Sequence, residues 1–240
     1  MTKAGARFPI KGAIAQRHGG TVRHDAVARG SALRAAMRGV DLIENCEVTG
    51  LRIEAGHILG VETSRGYIAA QKVGVAVAGS SSRVLAHAGM RIPIESHVLQ
   101  AFVSEGLKPL IDGVMTFGAG HFYVSQSDKG GLVFDGDIDG YNSYAQRCNL
   151  PVIEDVAEGG MALMPMLGLA RLARLVRAWD GITDMSMDCS PIIDKTGVEG
   201  LYFNGGWCYG GFKATPRLRL VLCASAGEGR ATPDGHALSV

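Results

Sequence analysis

The residues best suited to chemistry lie in one run, Gly205-Gly-Trp-Cys-Tyr-Gly-Gly-Phe-Lys-Ala-Thr-Pro216. Four glycines, Gly205, Gly206, Gly210 and Gly211, flank Trp207 and Tyr209, and Lys213 stands at the far end. Glycine adopts φ > 0 freely and lets a backbone come close to a flat ligand. A lysine ammonium is a compact point charge suited to capturing an anion such as a substrate carboxylate. The same residues also make a tight turn between two core elements, with an ordinary surface lysine beyond it. By themselves they allow both readings.

A second candidate is His24, in Gly19-Gly-Thr-Val-Arg-His-Asp25 at the start of an expected helix. The positive end of the helix dipole disfavours imidazolium, so the ring there is expected to be neutral. A neutral imidazole can act as a nucleophile, a metal ligand or an attachment point; a capping or solvent-facing histidine is the plainer alternative. No second His, Cys or carboxylate sits at metal-ligand spacing, so no metal is expected. His97 and His121 fall in expected strands, where structural roles are the rule. Asp188-Cys189-Ser190-Pro191 reads as a strand end or a cofactor-facing loop. The five cysteines (Cys46, Cys148, Cys189, Cys208, Cys223) are scattered, with no CxxC pair. That spacing suggests neither a zinc site nor a disulfide framework, so a cytoplasmic, reducing setting is the default expectation.

The elements that must position these residues follow from periodicity and punctuation. A helix is expected over Asp25–Arg38, with Ala26, Val27, Gly30, Leu33, Ala36 and Met37 on one apolar face and Asp25 in its first turn. Val40–Ile43 reads as a strand, followed by Cys46–Ile53 and a hairpin partner, His57–Thr63, across a turn at Gly56. Tyr67–Ala78 reads as a third strand, its end Val73–Ala78 apolar enough to be buried on both faces. Ser80–Ser82 then caps a short helix through Ala88. Pro93–Val103, Val114–Phe117, His121–Ser125 and Gly131–Asp135 read as an antiparallel sheet, followed by a glycine-rich excursion over Asp135–Tyr144. Pro151 opens a helix to about Met164, and a second helix covers Leu167–Leu175. Ala178–Met187 is a strand, and Leu201–Phe203 feeds the glycine run.

Composition sets the class. The chain has 240 residues, 47% of them hydrophobic, and a formal net charge of +1, which allows one large domain or two small ones and a real core. A near-zero charge gives no electrostatic case for nucleic acid or an anionic membrane. No apolar run approaches the roughly 20 residues of a membrane span, and the N-terminus lacks a hydrophobic signal core. The 34 glycines, about twice the usual share of about 7%, suit cofactor loops or many turns. No GxGxxG stands between a strand and a helix, so the sequence encodes no pyrophosphate cradle of that kind.

Taken together, Gly19–Gly30, Ser125-Gln-Ser-Asp-Lys-Gly130, Asp139-Gly-Tyr-Asn-Ser-Tyr144 and Asn204–Pro216 resemble the β subunit of heterotetrameric sarcosine oxidase. That subunit is a flavoprotein of the D-amino-acid-oxidase-like, FAD-dependent superfamily. The resemblance covers roughly residues 8 to 216. It implies oxidative demethylation of sarcosine to glycine, with hydride passing to FAD, electrons to FMN, and oxygen becoming hydrogen peroxide. It implies that His24 carries FMN covalently and that Lys213 binds the substrate carboxylate. Glu47-Val48-Thr49, with Val48 at its centre, and the strand end at Ala78 and Gly79 resemble the superfamily's adenine-side FAD contacts. The glycine turn, Gly205, Gly206, Gly210 and Gly211, resembles the loop beside the isoalloxazine ring. The implied partners are sarcosine or a related small secondary amine and the other oxidase subunits.

Two departures shape the expected organisation. The family's opening strand, GxGxxG turn and helix have no counterpart, and the likeness stops after Pro216, where the family continues Gly-Ser-Gly-Trp. Suitable codons for Arg217–Leu220, read one base later, spell those four residues, which suggests a frameshift near Pro216. The expected fold is therefore α/β: a partial FAD-binding domain lacking its first βαβ unit, plus an antiparallel-sheet substrate domain. The expected boundaries are 1–90 for the partial FAD domain with the FMN segment, 91–185 for the substrate domain, 186–216 for the return to the FAD domain, and 217–240 for a disordered or non-native tail. The alternative functions are a catalytically inactive remnant or assembly fragment, and a subunit acting on another secondary amine.

Overall fold

The computed structural model describes residues 12–117, 122–163 and 174–216. It is a mixed α/β chain that divides into two compact units. One comprises residues 1–42, 98–140 and 145–181, the other 43–97, 141–144 and 182–240. The expected tail after Pro216, His121 and all but the end of the helix expected over Leu167–Leu175 lie outside the described residues; Leu175 itself opens a strand.

In the first unit, α1 (His24–Ala36) is followed by the five-stranded sheet β6 (Met115–Phe117), β7 (Phe122–Gln126), β8 (Gly131–Ile138), β5 (Ile94–Gly106) and β9 (Leu175–Ser186), in that order across the sheet. The β6–β7, β7–β8 and β8–β5 pairs are antiparallel. The unit boundaries fall inside β5 and β9. Helix α3 (Leu150–Leu163) lies on this sheet. Asn149 caps it by accepting the Val152 N–H at 3.0 Å, with Pro151 in the first turn, where its missing N–H costs nothing. Val152 and Val156, four residues apart, are buried with Phe102, Phe122, Val124 and Leu132. Gly160 extends that face: a Cβ there would stand 2.7 Å from the Phe122 ring, so only a glycine lets the helix lie this close.

Helix α1 forms where the periodicity placed it, but its apolar face is a correction: no residue of α1 is buried. Leu33 is 63% and Met37 70% exposed. Val40–Ile43 is not a strand either; Val40, Leu42 and Ile43 are exposed in an irregular segment.

The second unit holds two three-stranded sheets. One is the antiparallel meander β1 (Val48–Glu54), β2 (His57–Thr63) and β3 (Gly66–Ala69). Ala55 and Gly56, both at positive φ (48° and 81°), close the β1–β2 hairpin in the conformation that matches strand twist. The other sheet has the order β10 (Ile192–Lys195), β11 (Leu201–Gly205), β4 (Val73–Val75). There β11 runs antiparallel to β10 and parallel to β4. The single strand expected over Tyr67–Ala78 is thus two short strands in different sheets, and its end is not buried on both faces: Val75 is buried, whereas Gly74 and Val77 are exposed. A 3₁₀ turn (Ala78–Ser80) leads into α2 (Ser81–Ala86). The core here is Ile58, Val75, Leu85, Ile94, Leu201 and Phe203.

Candidate active site

The glycine run begins where β11 ends, and its shape is set by the last residues of β9. The Gly206 N–H donates to Asp184 Oδ2 at 2.6 Å, inside the protein. The Cys208 N–H donates to the Asp184 carbonyl at 3.0 Å. Thr183 Oγ1 donates to the Cys208 carbonyl at 3.0 Å, and Ser186 Oγ lies 3.3 Å from the Gly206 carbonyl. Gly206 (φ 75°) and Cys208 (φ 50°) are both left-handed, a conformation a non-glycine residue holds only when its surroundings fix it. Asp184 is 4% exposed, and its carboxylate stays satisfied by a backbone donor. Sequence reading missed this strap. The signal was present: Thr183, Asp184 and Ser186 are polar residues closely spaced at the end of an otherwise unremarkable strand.

Beyond Cys208 the chain turns again. The Gly210 N–H donates to the Trp207 carbonyl at 2.8 Å, and Trp207 Nε1 donates to Asn204 Oδ1 at 2.7 Å. A helical turn covers 211–216. Lys213 is exposed, and its Nζ donates to the Tyr209 carbonyl at 2.7 Å. Tyr209 and Phe212 beside it are 40% and 44% exposed. The run thus presents two rings and one ammonium to solvent from a backbone held at its start by β9.

The glycines serve close packing within the chain. A Cβ on Gly205 would meet Phe203 Cζ at 2.5 Å and Ser81 Oγ at 3.1 Å, and one on Gly211 would meet Trp207 Cβ at 3.2 Å. Gly79, one residue into the 3₁₀ turn, is buried, and a Cβ there would meet Ile182 Cγ2 at 2.2 Å. Ala78 beside it sits at φ 45°, with Ser81 Oγ donating to its carbonyl at 2.5 Å. Ser81 therefore brings the Ala78–Gly79 turn and Gly205 together. Val48, half-buried, opens β1 in the meander of the same unit. His24 belongs to the other unit: it is exposed at the first position of α1, beside an exposed Arg23–Asp25 ion pair of 2.8 Å. That pair holds the Asp25 carboxyl below its ordinary range, chiefly through the Arg23 hydrogen bond. Among the described residues, no group of three or more His, Cys, Asp or Glu side chains could hold a metal, and no helix is long and apolar enough to cross a membrane.

Residues 2–218 match the family described as FAD dependent oxidoreductase. The chain belongs to that family. It is 69% identical over 211 residues to "Sarcosine oxidase subunit beta" of Rhizobium meliloti (strain 1021), covering 88% of this chain and 50% of that protein. It is 43% identical to the protein of the same name from Arthrobacter sp, covering 97% of this chain and 56% of the relative. The chain spans about half the length of the curated relatives it matches. Among solved structures it is similar to L-proline dehydrogenase from P.horikoshii, with a TM-score of 0.74 and 26% identity over 82% of this chain and 54% of that one. Glycine oxidase from Geobacillus kaustophilus shares the fold, with a TM-score of 0.74 at 20% identity over 83% of this chain and 53% of that one. The mixed α/β fold with antiparallel sheets is thus that of FAD-dependent oxidoreductases.

The residues present fit one end of such a cofactor. The Gly205–Lys213 run offers exposed rings, a rigid backbone and a cation, which suit a flat polar ring and a carboxylate. Because the close approaches at Gly205 and Gly79 are filled by the chain's own side chains, those two glycines act by shaping the backbone.

Proposed function

We propose that this chain supplies the flavin-ring and substrate-carboxylate end of a sarcosine-oxidising β subunit, which works with the other oxidase subunits in the cytoplasm. The observation that carries the reading is the 69% identity to "Sarcosine oxidase subunit beta" across 88% of the chain. The exposed ammonium on a strapped glycine run gives it a structural basis. The reaction is oxidative demethylation of sarcosine to glycine, with hydrogen peroxide as the product of oxygen. Bound FAD would supply the acceptor for the hydride of the amine's N-methyl group.

This chain's residues bind and orient. Lys213 Nζ carries three donors, one of which goes to the Tyr209 carbonyl, and it receives the amine substrate's carboxylate. The Asp184 strap fixes the backbone from which that ammonium projects, so the carboxylate is held at one place relative to Gly205–Gly211. Gly205, Gly206, Gly210 and Gly211 form the loop beside the flavin ring, while Val48 and the Ala78–Gly79 turn, which Gly79 shapes, lie on the adenine side of FAD. His24, on an exposed helix start, carries FMN. Within this reading, residues 1–90 and 186–216 belong to the flavin domain and 91–185 to the substrate domain.

The test is to purify the chain with its partner subunits, record flavin absorption, and measure sarcosine-dependent peroxide. Bound flavin and peroxide release support the proposal; a colourless protein sinks it and leaves the non-catalytic fragment. Lys213→Met should lower kcat/KM for sarcosine about 10- to 150-fold, the size of a lost hydrogen bond to a charged group of about 1.5–3 kcal/mol. An unchanged kcat/KM would remove Lys213 from the substrate. Dimethylglycine and proline, run beside sarcosine, decide among secondary amines. His24→Ala should leave FMN extractable after denaturation, and FMN still attached would remove that assignment.

A further inference from the structure

The spacing of the cysteines suggested no disulfide, but the fold brings two of them together. Cys189, in the loop after β9, is exposed, and Cys208, in the glycine run, is partly buried; both are free thiols. The two meet at Ser186, whose carbonyl lies 4.0 Å from Cys208 Sγ. Ser186 joins the two segments. Its carbonyl accepts the Cys189 N–H at 3.2 Å, its N–H donates to Cys208 Sγ at 3.4 Å, and its hydroxyl lies 3.6 Å from the same sulfur. Both cysteines are left-handed, at φ 58° and 50°, so each sulfur is presented from a backbone its surroundings hold fixed. None of the residues assigned to flavin or substrate is needed for this contact.

We propose that Cys189 and Cys208 are a reversible redox-modification site, which a hydroperoxide oxidises to a disulfide joining the loop after β9 to the glycine run. In the first step the Cys189 thiolate attacks a peroxide oxygen. The O–O bond breaks, hydroxide leaves and takes up a proton to become water, and Cys189 becomes a sulfenic acid. In the second step the Cys208 sulfur attacks the Cys189 sulfur. The S–O bond breaks, water leaves with the proton given up by the Cys208 thiol, and the S–S bond forms. In sum, two thiols and one hydrogen peroxide give one disulfide and two waters, with each sulfur oxidised by one electron. Dithiol exchange reverses it, as expected of a transient disulfide in a reducing compartment. That the reaction proposed above would itself release the oxidant rests on that reading; the thiol chemistry does not.

The test uses the reduced full chain and hydrogen peroxide, with no substrate or flavin. Trypsin cuts after Arg177, Lys195 and Lys213, so Cys189 and Cys208 fall in neighbouring peptides, 178–195 and 196–213. After mild oxidation, denaturation and alkylation, the two peptides should run as one joined species. It should lack both alkyl groups, and dithiothreitol should separate it. Cys189→Ser and Cys208→Ser should each abolish the joined species. The proposal is overturned if either cysteine joins Cys46, Cys148 or Cys223 instead. It is equally overturned if both stay fully alkylated under oxidant that modifies Cys46 or Cys148. The readout is a mass, so it does not depend on whether the chain is an oxidase.

Discussion

The sheet under α3 and the glycine run are both ordered, but by opposite means. Around Phe102 the structure rests on apolar area: Phe102, Val124 and Leu132 are almost wholly buried, and the Phe102 and Phe134 rings pack 5.7 Å apart. Many weak contacts share that work, so no single polar atom decides the outcome. Around Gly206 the structure rests on a few hydrogen bonds from Thr183, Asp184 and Ser186 to backbone groups. There one side chain sets the path of several residues. The comparison teaches where this fold concentrates control: the apolar sheet supplies stability, and the polar strap supplies position.

The largest expected effect tests the first half of that contrast. Phe102→Ala should cost about 3–5 kcal/mol, measured by denaturant unfolding; a loss under about 1 kcal/mol would mean the sheet is not held by its apolar core. Next, Asp184→Ala leaves the buried Gly206 N–H without its acceptor and should cost about 1.5–3 kcal/mol. Asp184→Asn keeps an acceptor oxygen and should recover part of this, whereas equal losses for the two variants would show that packing, not the bond, holds the run.

A third test probes polarity inside the apolar region. Tyr123 faces Asp135 across β7 and β8, and burial first, then the Asp135 charge, push its phenol up to about 12. The folded phenol therefore keeps its proton after the unfolded one has lost it. Its contribution to stability is intact below about pH 10, the ordinary tyrosine value, and is lost as pH rises through the folded value. Tyr123→Phe should flatten the decline in unfolding midpoint over that range, and identical alkaline profiles for both proteins would refute it. The smallest effect is expected at α1. Leu33→Ala should change stability by less than about 0.5 kcal/mol, since Leu33 is exposed and no residue of that helix is buried; a core-sized loss would mean that the helix face is covered after all.

How much of this was legible in the sequence depends on how far each residue's partner lies along the chain. The hairpin at Ala55-Gly56, strand β5 and helix α3 are set by local alternation, turn chemistry and a helix start, and their bounds came out within a few residues. Tyr67–Ala78 misled because one apolar texture serves two sheets: β3 pairs locally with β2, whereas β4 pairs with β11 much later in the chain. Val40–Ile43 misled because a run of apolar residues says nothing about whether anything covers it. At the candidate site the glycines and Lys213 stood out by composition. Asp184 did not: its polar neighbours Thr183 and Ser186 mark the strand end, but a carboxylate that accepts a single backbone N–H across two segments leaves no trace of its partner. The Cys189–Cys208 contact was hidden for the same reason.

Ser96 uses all three of its polar groups on two other segments, one on the 3₁₀ turn and two on residues 141–144. Its hydroxyl donates to the Gly79 carbonyl at 2.6 Å, its N–H to Asn142 Oδ1 at 3.2 Å, and its carbonyl accepts the Ser143 N–H at 2.7 Å. A residue used in this way acts as a latch. Residues 141–144 are separated in sequence from the rest of their unit, so releasing them breaks two bonds at Ser96 and frees the strand end that steadies the 3₁₀ turn. In amide hydrogen exchange the Ser143 and Ser96 protons should therefore exchange at a common rate, as one cooperative opening rather than as separate loop fluctuations.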